Sequence, residues 1–393
     1  MKKIFFIGLW VWHAASATLA QGTVDSVLAQ IKSNNKTLIT LNQFLVAKNI
    51  EYTTGLNLPN PKVDYDFLIG SPRGAGNQTD LVITQSFDLP QVYRARKQLA
   101  QERTAQTTIQ IISARQDVLL RAKQLCVEAV YRTKLQSVLL LIHQNTQKWA
   151  NDFQQRLDLG EGTILDVHKD QLELVDAQVS VQENNSALLQ INLHLIELNG
   201  GSPLLFRDTV YESLAPVRDL AGLTAEILAR DPQRLFWEHE KAVAQKEIEL
   251  TKWLTYPTFD AGYHHQSILG QSFNGPHVGF TIPLLEHKNK VRSKQAQFTY
   301  AEATLQEHVQ LKTAQIQKQY EKQRQLALVL ENYQNVLSSS QYIHLLDRSL
   351  ELGQITILDY FREMRDYYNL IKSFLKYEME YQQALVELFK YRL

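Results

Sequence analysis

Leu157-Asp158-Leu159-Gly160-Glu161-Gly162-Thr163-Ile164-Leu165-Asp166 returns 193 residues later as Leu350-Glu351-Leu352-Gly353-Gln354-Ile355-Thr356-Ile357-Leu358-Asp359. Seven of the ten positions are identical, and Asp158 is exchanged for Glu351. Each copy spells out a helix–turn–helix tip. Gly160 and Gly353 stand where a helix should end, because glycine takes the left-handed C′ conformation without a Cβ clash. Thr163 and Thr356 can N-cap the next helix. Asp166 and Asp359 fall at the capping-box position three residues on, near the positive end of the helix dipole. One such turn is ordinary in any helical hairpin. Two at matched depth point to an internal duplication.

The flanks of each tip read as long helices. Residues 91–159 contain neither glycine nor proline. They predict one very long helix, about 100 Å if unbroken, at a rise of 1.5 Å per residue. Such a helix needs neighbours alongside it. A return helix runs from Thr163 to about Asn199, and Gly200-Gly201-Ser202-Pro203 closes the first half. In the second half a long helix is expected from about Lys288 to Leu352, and another from Thr356 to the end. Ile357, Met364 and Ile371, with Phe361, Tyr368 and Leu375, keep a seven-residue repeat suited to coiled-coil packing of a helical pair.

Further upstream the period changes from helical to two. Thr23 to Thr54 reads as two helices broken at Asn34-Asn35, and Leu58-Pro59-Asn60-Pro61 ends the run. Lys62–Gly70 then alternates Val63, Tyr65, Phe67 and Ile69 with Lys62, Asp64, Asp66 and Leu68. Ser71–Gln78 reads as a loop, and Thr79–Asp88 alternates again before Pro90. The second half repeats this order. Helices are expected at Leu220–Ala229 and Gln233–Leu254, then Tyr256-Pro257, a strand at Thr258–Gln266, a loop at Gly270–Pro276, a strand at His277–Ile282, and Pro283. Residues 21–203 are therefore a first repeat, 204–218 a connector and 219–393 a second repeat.

Composition narrows the function. The formal net charge of the 393 residues is zero, without the basic bias of a nucleic-acid binder. The single cysteine, Cys126, excludes a disulfide framework and reads as a small buried apolar residue. Lys2 and Lys3, the apolar run Ile4–Trp12 and the small residues around Thr18-Leu19-Ala20 form a signal peptide over residues 1–20, with export implied. No other stretch reaches 18 consecutive apolar residues, so no transmembrane helix is expected. No glycine-rich phosphate loop, paired-histidine metal motif or nucleophile elbow is legible. No enzyme, cofactor or metal site is therefore expected. His168 and Asp170 lie two apart on a helix and do not face each other. His264 and His265 point to opposite faces of a strand.

Strands of about nine residues match a tilted crossing of the hydrocarbon layer. Four of them cannot close a barrel within one chain, and open edges are not tolerated in lipid. Oligomerisation resolves this, with several copies each contributing four strands. The alternative is a soluble hairpin pair packed on helices.

The duplicated plan, the paired prolines Pro61/Pro257 and Pro90/Pro283, and the two Thr-Ile-Leu-Asp tips with their glycines resemble the TolC-type outer-membrane efflux proteins over the whole chain from about residue 22. The resemblance implies a mainly α fold with four β-strands. Long helical hairpins form an α-barrel through the periplasm, and trimerisation completes a twelve-stranded β-barrel in outer-membrane lipid. It implies a homotrimer whose partners are a periplasmic adaptor and an inner-membrane transporter. The strand loops become outward-facing. The tips become the periplasmic entrance and adaptor dock, through Leu157, Gly160, Thr163, Leu350, Gly353 and Thr356. Asp166, Asp359 and Arg362 become entrance-gate candidates. Asp359 matches an acidic family position that favours cations, whereas Arg362 stands where the best-known member is acidic. Arg362 thus suggests an ionic latch with Asp359 in place of an all-acidic ring. The compact length looks like the heavy-metal subgroup. The rival readings are a periplasmic adaptor, which should carry one hairpin and a lipoyl-like domain, and a soluble coiled-coil scaffold.

Overall fold

The computed structural model describes residues 23–212, 219–283, 288–338 and 341–393. The expected signal peptide and the end of the connector lie outside them. In chain order the elements are α1 (Val24–Asn34), α2 (Lys36–Thr53), β1 (Lys62–Ile69), β2 (Asn77–Phe87), α3 (Pro90–Asp158), α4 (Ile164–Leu198), α5 (Leu220–Arg230), α6 (Pro232–Trp253), β3 (Thr258–Ile268), β4 (Gln271–Thr281), α7 (Lys290–Leu337), α8 (Gln341–Glu351) and α9 (Ile357–Leu388). Helix starts obey the local chemistry. Asn35 caps α2 by accepting from the Leu38 amide, and Asp231 caps α6 by accepting from the Arg234 amide. Pro90 and Pro232 occupy first helical positions, where a missing N–H costs nothing.

Two expectations are corrected. Gly270–Pro276 is not a loop: Leu269 and Gly270, at φ 49° and 80°, make a two-residue hairpin turn, and β4 begins at Gln271. Two positive φ angles suit the right-handed twist of the flanking strands. Gly275 and Pro276 signal a break in sequence, but β4 is an edge strand of this sheet, where proline is tolerated. The long helix expected over 288–352 is divided between α7 and α8. Residues 339 and 340 between them lie outside the described residues.

The chain forms two compact units. One comprises described residues 35–121, 219–283, 288–338, 341–346 and 380–393. It holds the antiparallel sheet in the order β1-β2-β3-β4. The unbroken register sorts its side chains by face. Across one face run Tyr65, Leu81, His265 and Asn274, then Val63, Ile83, Tyr263 and Pro276, then Phe87, Phe259 and Phe280. The other carries Asp64, Asp66, Asp80, Asp260, His264 and His277. His264 bonds Asp80 while His265 bonds Asn274, so the two histidines do point to opposite faces. The apolar face is uncovered in the single chain: Val63 is 61 % exposed, Phe280 66 % and Val278 78 %.

Elsewhere in this unit, Leu223, Ile227, Ile316, Leu388 and Tyr391 pack α5, α7 and the C-terminal segment together. Glu247 of α6 bridges Arg103 of α3 and Lys294 of α7, at 2.6 Å each. Burial pushes the Asp231 carboxyl up. The His308 hydrogen bond, the Lys312 charge and the Arg234 amide outweigh burial and hold it below the usual range.

The other unit comprises described residues 23–34, 122–212 and 347–379. Its core is the contact of α3 with α4 and α9. Leu135, Leu139 and Leu375 are buried together, flanked by Tyr131, Ile142, Val181, Ile371 and Phe374. The heptad positions Met364, Tyr368 and Leu375 of α9 are all buried. Lys134 pairs with Glu378 at 2.8 Å, and the Asn145 amide donates to the Tyr368 hydroxyl. Cys126 is fully buried. Burial pushes its thiol up to about 12, so it stays protonated.

Candidate functional site at the helical tips

Both glycine tips belong to this second unit and adopt the same turn. Gly160 and Gly353 have φ of 76° and 68°. The Gly160 amide donates to Leu157 O and the Glu161 amide to Arg156 O. The Gly353 amide donates to Leu350 O and the Gln354 amide to Ser349 O. This is the Schellman pattern, which satisfies carbonyls that a helix end leaves orphaned.

The caps also repeat. Thr163 Oγ1 accepts from the Asp166 amide and donates to Asp166 Oδ2, which accepts the Thr163 amide as well. Thr356 Oγ1 likewise accepts from the Asp359 amide and donates to Asp359 Oδ2 at 2.7 Å. The second tip adds one contact, an ion pair between Arg362 and Asp359. The Thr356 hydroxyl, and after it the Arg362 charge and the Thr356 amide, holds the Asp359 carboxyl below the usual carboxylate range against a small opposing desolvation.

The starts of α4 and α9 face each other across a cavity of about 280 Å³. From α4 it is lined by Asp166, Lys169, Asp170 and Glu173, and from α9 by Asp359, Arg362 and Arg365. Arg365 reaches Glu173 at 3.5 Å. Phe153 of α3 is buried against it, edge-on to Phe361, which also stacks on Trp149 at 4.3 Å. The three gate candidates, Asp166, Asp359 and Arg362, therefore meet in one groove. Among the dock candidates, Gly160, Thr163, Gly353 and Thr356 build the turns, while Leu157 and Leu350 are half-buried. The exposed apolar surface belongs to their neighbours: Leu159 and Leu165 are each 75 % exposed, with Leu352 at 54 % and Leu358 at 50 %.

Sequence reasoning weighed Asp170 only as a partner for His168 and missed its burial in the groove. It is 9 % exposed, and its Oδ2 is buried without a hydrogen-bond partner. Burial, then the neighbouring Glu173, push its carboxyl up to about 6, against the pull of Lys169. The signal was present: Asp170, Ala177, Asn184 and Ile191 form a seven-residue stripe, all buried on α4. The Asn184 amide nitrogen on that stripe donates to Arg132 O and Gln136 Oε1, while its Oδ1 is buried without a partner, as Asp170 Oδ2 is. Of the two, only Asp170 can carry a charge there. No group of three or more His, Cys, Asp or Glu able to hold a metal ion occurs among the described residues.

No protein-family profile matches the chain, and no curated protein is similar to it in sequence. Solved structures are similar in fold. CusC, described for folding and transmembrane channel formation, matches at a TM-score of 0.71 and 15 % identity, over 95 % of this chain and 92 % of its own. The outer-membrane channel CmeC of Campylobacter jejuni matches at 0.77 and 13 % identity, over 94 % and 85 %. The outer-membrane protein VceC of Vibrio cholerae matches at 0.76 and 13 % identity, over 94 % and 95 %. With its four-stranded sheet, long helices and paired glycine tips, the chain has the fold of these outer-membrane channel proteins.

Proposed function

We propose that this protein is the outer-membrane exit channel of a tripartite efflux system. Three copies close a twelve-stranded barrel in the outer membrane, each contributing four strands, and their helices form a conduit in the periplasm. Substrate is handed over by an inner-membrane transporter through a periplasmic adaptor and crosses passively. The observation that carries this reading is the sheet. It has one uncovered apolar face, one polar face and two unpaired edges, which only closure with other copies satisfies in lipid. The polar face lines the lumen, and Phe87, Phe259 and Phe280 band the outside at one rim, where aromatics suit a membrane interface. The two halves arose by duplication.

The tips form the entrance. The exposed leucines, held out by the glycine turns, dock the adaptor. Asp166, Asp359 and Arg362 form the latch. A periplasmic adaptor or coiled-coil scaffold is disfavoured by the second hairpin and by the uncovered sheet face. Fractionation tests the reading. Recovery from the outer membrane as a heat-sensitive trimer is expected, and recovery as a soluble periplasmic monomer overturns it. A deletion strain challenged with metals, dyes and antibiotics identifies the cargo. Sensitivity confined to metal ions would place it with heavy-metal exporters.

A further inference from the structure

The entrance groove contains a group that neither the turn nor the latch uses. Asp170 lies one helical turn beyond Asp166, on the buried side of α4. It faces Asp166, Lys169 and Glu173 on its own helix and Asp359, Arg362 and Arg365 on α9, with Phe153 from α3 beside them. The cations of α9 are engaged elsewhere, Arg362 with Asp359 and Arg365 with Glu173. Asp170 Oδ2 is left buried with no donor. Ionisation leaves Oδ2 buried without water or a donor, opposed only by the pull of Lys169.

We propose that Asp170 makes the tip groove proton-linked: the groove closes over the neutral carboxyl and opens as that carboxyl ionises. This regulation rests on the reading of the tips as the entrance gate, but the proton linkage stands or falls separately. The two states set the sign. In the closed groove the carboxyl is held up at about 6, whereas in an opened, hydrated groove it returns toward 3.8. The closed state therefore binds the proton more tightly and is favoured in acid. Raising the pH from 5 to 7.5 shifts the opening equilibrium of each subunit by about tenfold. Asp359 is held low and stays ionised over this range. His168 lies two residues away on the exposed side of α4. It lies outside the groove lining and serves as the control.

The experiment uses the full-length protein reconstituted in lipid. Amide protection over residues 164–172 and 357–365, corrected for intrinsic exchange, is measured at pH 5 and 7.5, with single-channel conductance on the same preparations. The wild-type protein should lose about tenfold in protection at pH 7.5. Asp170→Asn should keep acid-like protection at both pH values, and His168→Gln should behave as wild type. If Asp170→Asn retains the wild-type pH response, or His168→Gln abolishes it, the proposal is overturned. If protection tracks Asp170 while conductance does not change, the proton linkage holds and the gate reading fails.

Discussion

The two tips share a backbone turn and differ in the side chains just beyond it. Both end a helix on a left-handed glycine with the same pair of Schellman bonds, and both start the next helix on a threonine–aspartate cap. Two residues after the capping aspartate, the first tip has the exposed His168 and the second has Phe361 packed on Trp149 and Phe153. Three residues after it stand Lys169 and Arg362, and only Arg362 is paired to its own aspartate. Four residues after it, Asp170 is buried in the groove. Local chemistry therefore makes the turns alike, and packing against α3 and across the groove makes them unlike.

The likeness breaks most severely at the glycines. A β-branched residue at positive φ is strongly strained. Gly160→Val and Gly353→Val should each destabilise their turn by about 3 kcal/mol, read as lost amide protection at the tip. Neither glycine has a neighbour within 4 Å of an added Cβ, so the cost is conformational and should be equal. A benign valine at one tip would show that the turns are not equivalent. The difference between the tips sharpens at the next position. Phe361→Ala removes the two aromatic contacts to α3 and should cost about 2 kcal/mol, whereas His168→Ala should stay within about 0.5 kcal/mol. Equal effects in denaturant melts would contradict the packing described here. Thr163→Ala and Thr356→Ala should each cost about 1 kcal/mol through loss of the cap, with serine restoring it.

The smallest effect is a titration. Because the folded Asp359 carboxyl is held down, its contribution is present above the ordinary carboxylate range. It is lost only as pH falls through the depressed value. Carboxyl carbon shifts of labelled protein should show Asp359 titrating below a typical aspartate. Arg362→Gln should move it back up, and an unmoved titration would break the latch.

The same division between local chemistry and packing governs how much was legible in sequence. The tips, the helix starts and three strands are set by residues within a few positions of each other, so glycine, caps and period two were enough to find them. β4 was read too short because Gly275 and Pro276 carry a local break signal that an edge position overrides. Asp170 was set aside with His168 because its burial comes from helices distant in sequence. Its place on the stripe with Ala177, Asn184 and Ile191 was the one clue. The meeting of Asp166 with Asp359 and Arg362 likewise depends on α4 packing beside α9.

Conductance across a planar bilayer tests the central claim most directly. Purified trimer should give discrete, stable current steps, and Val278→Arg, which places a charge on the uncovered sheet face, should abolish insertion and the steps together. A protein that stays monomeric and gives no steps, or a Val278→Arg variant that inserts and conducts as wild type, would contradict the account.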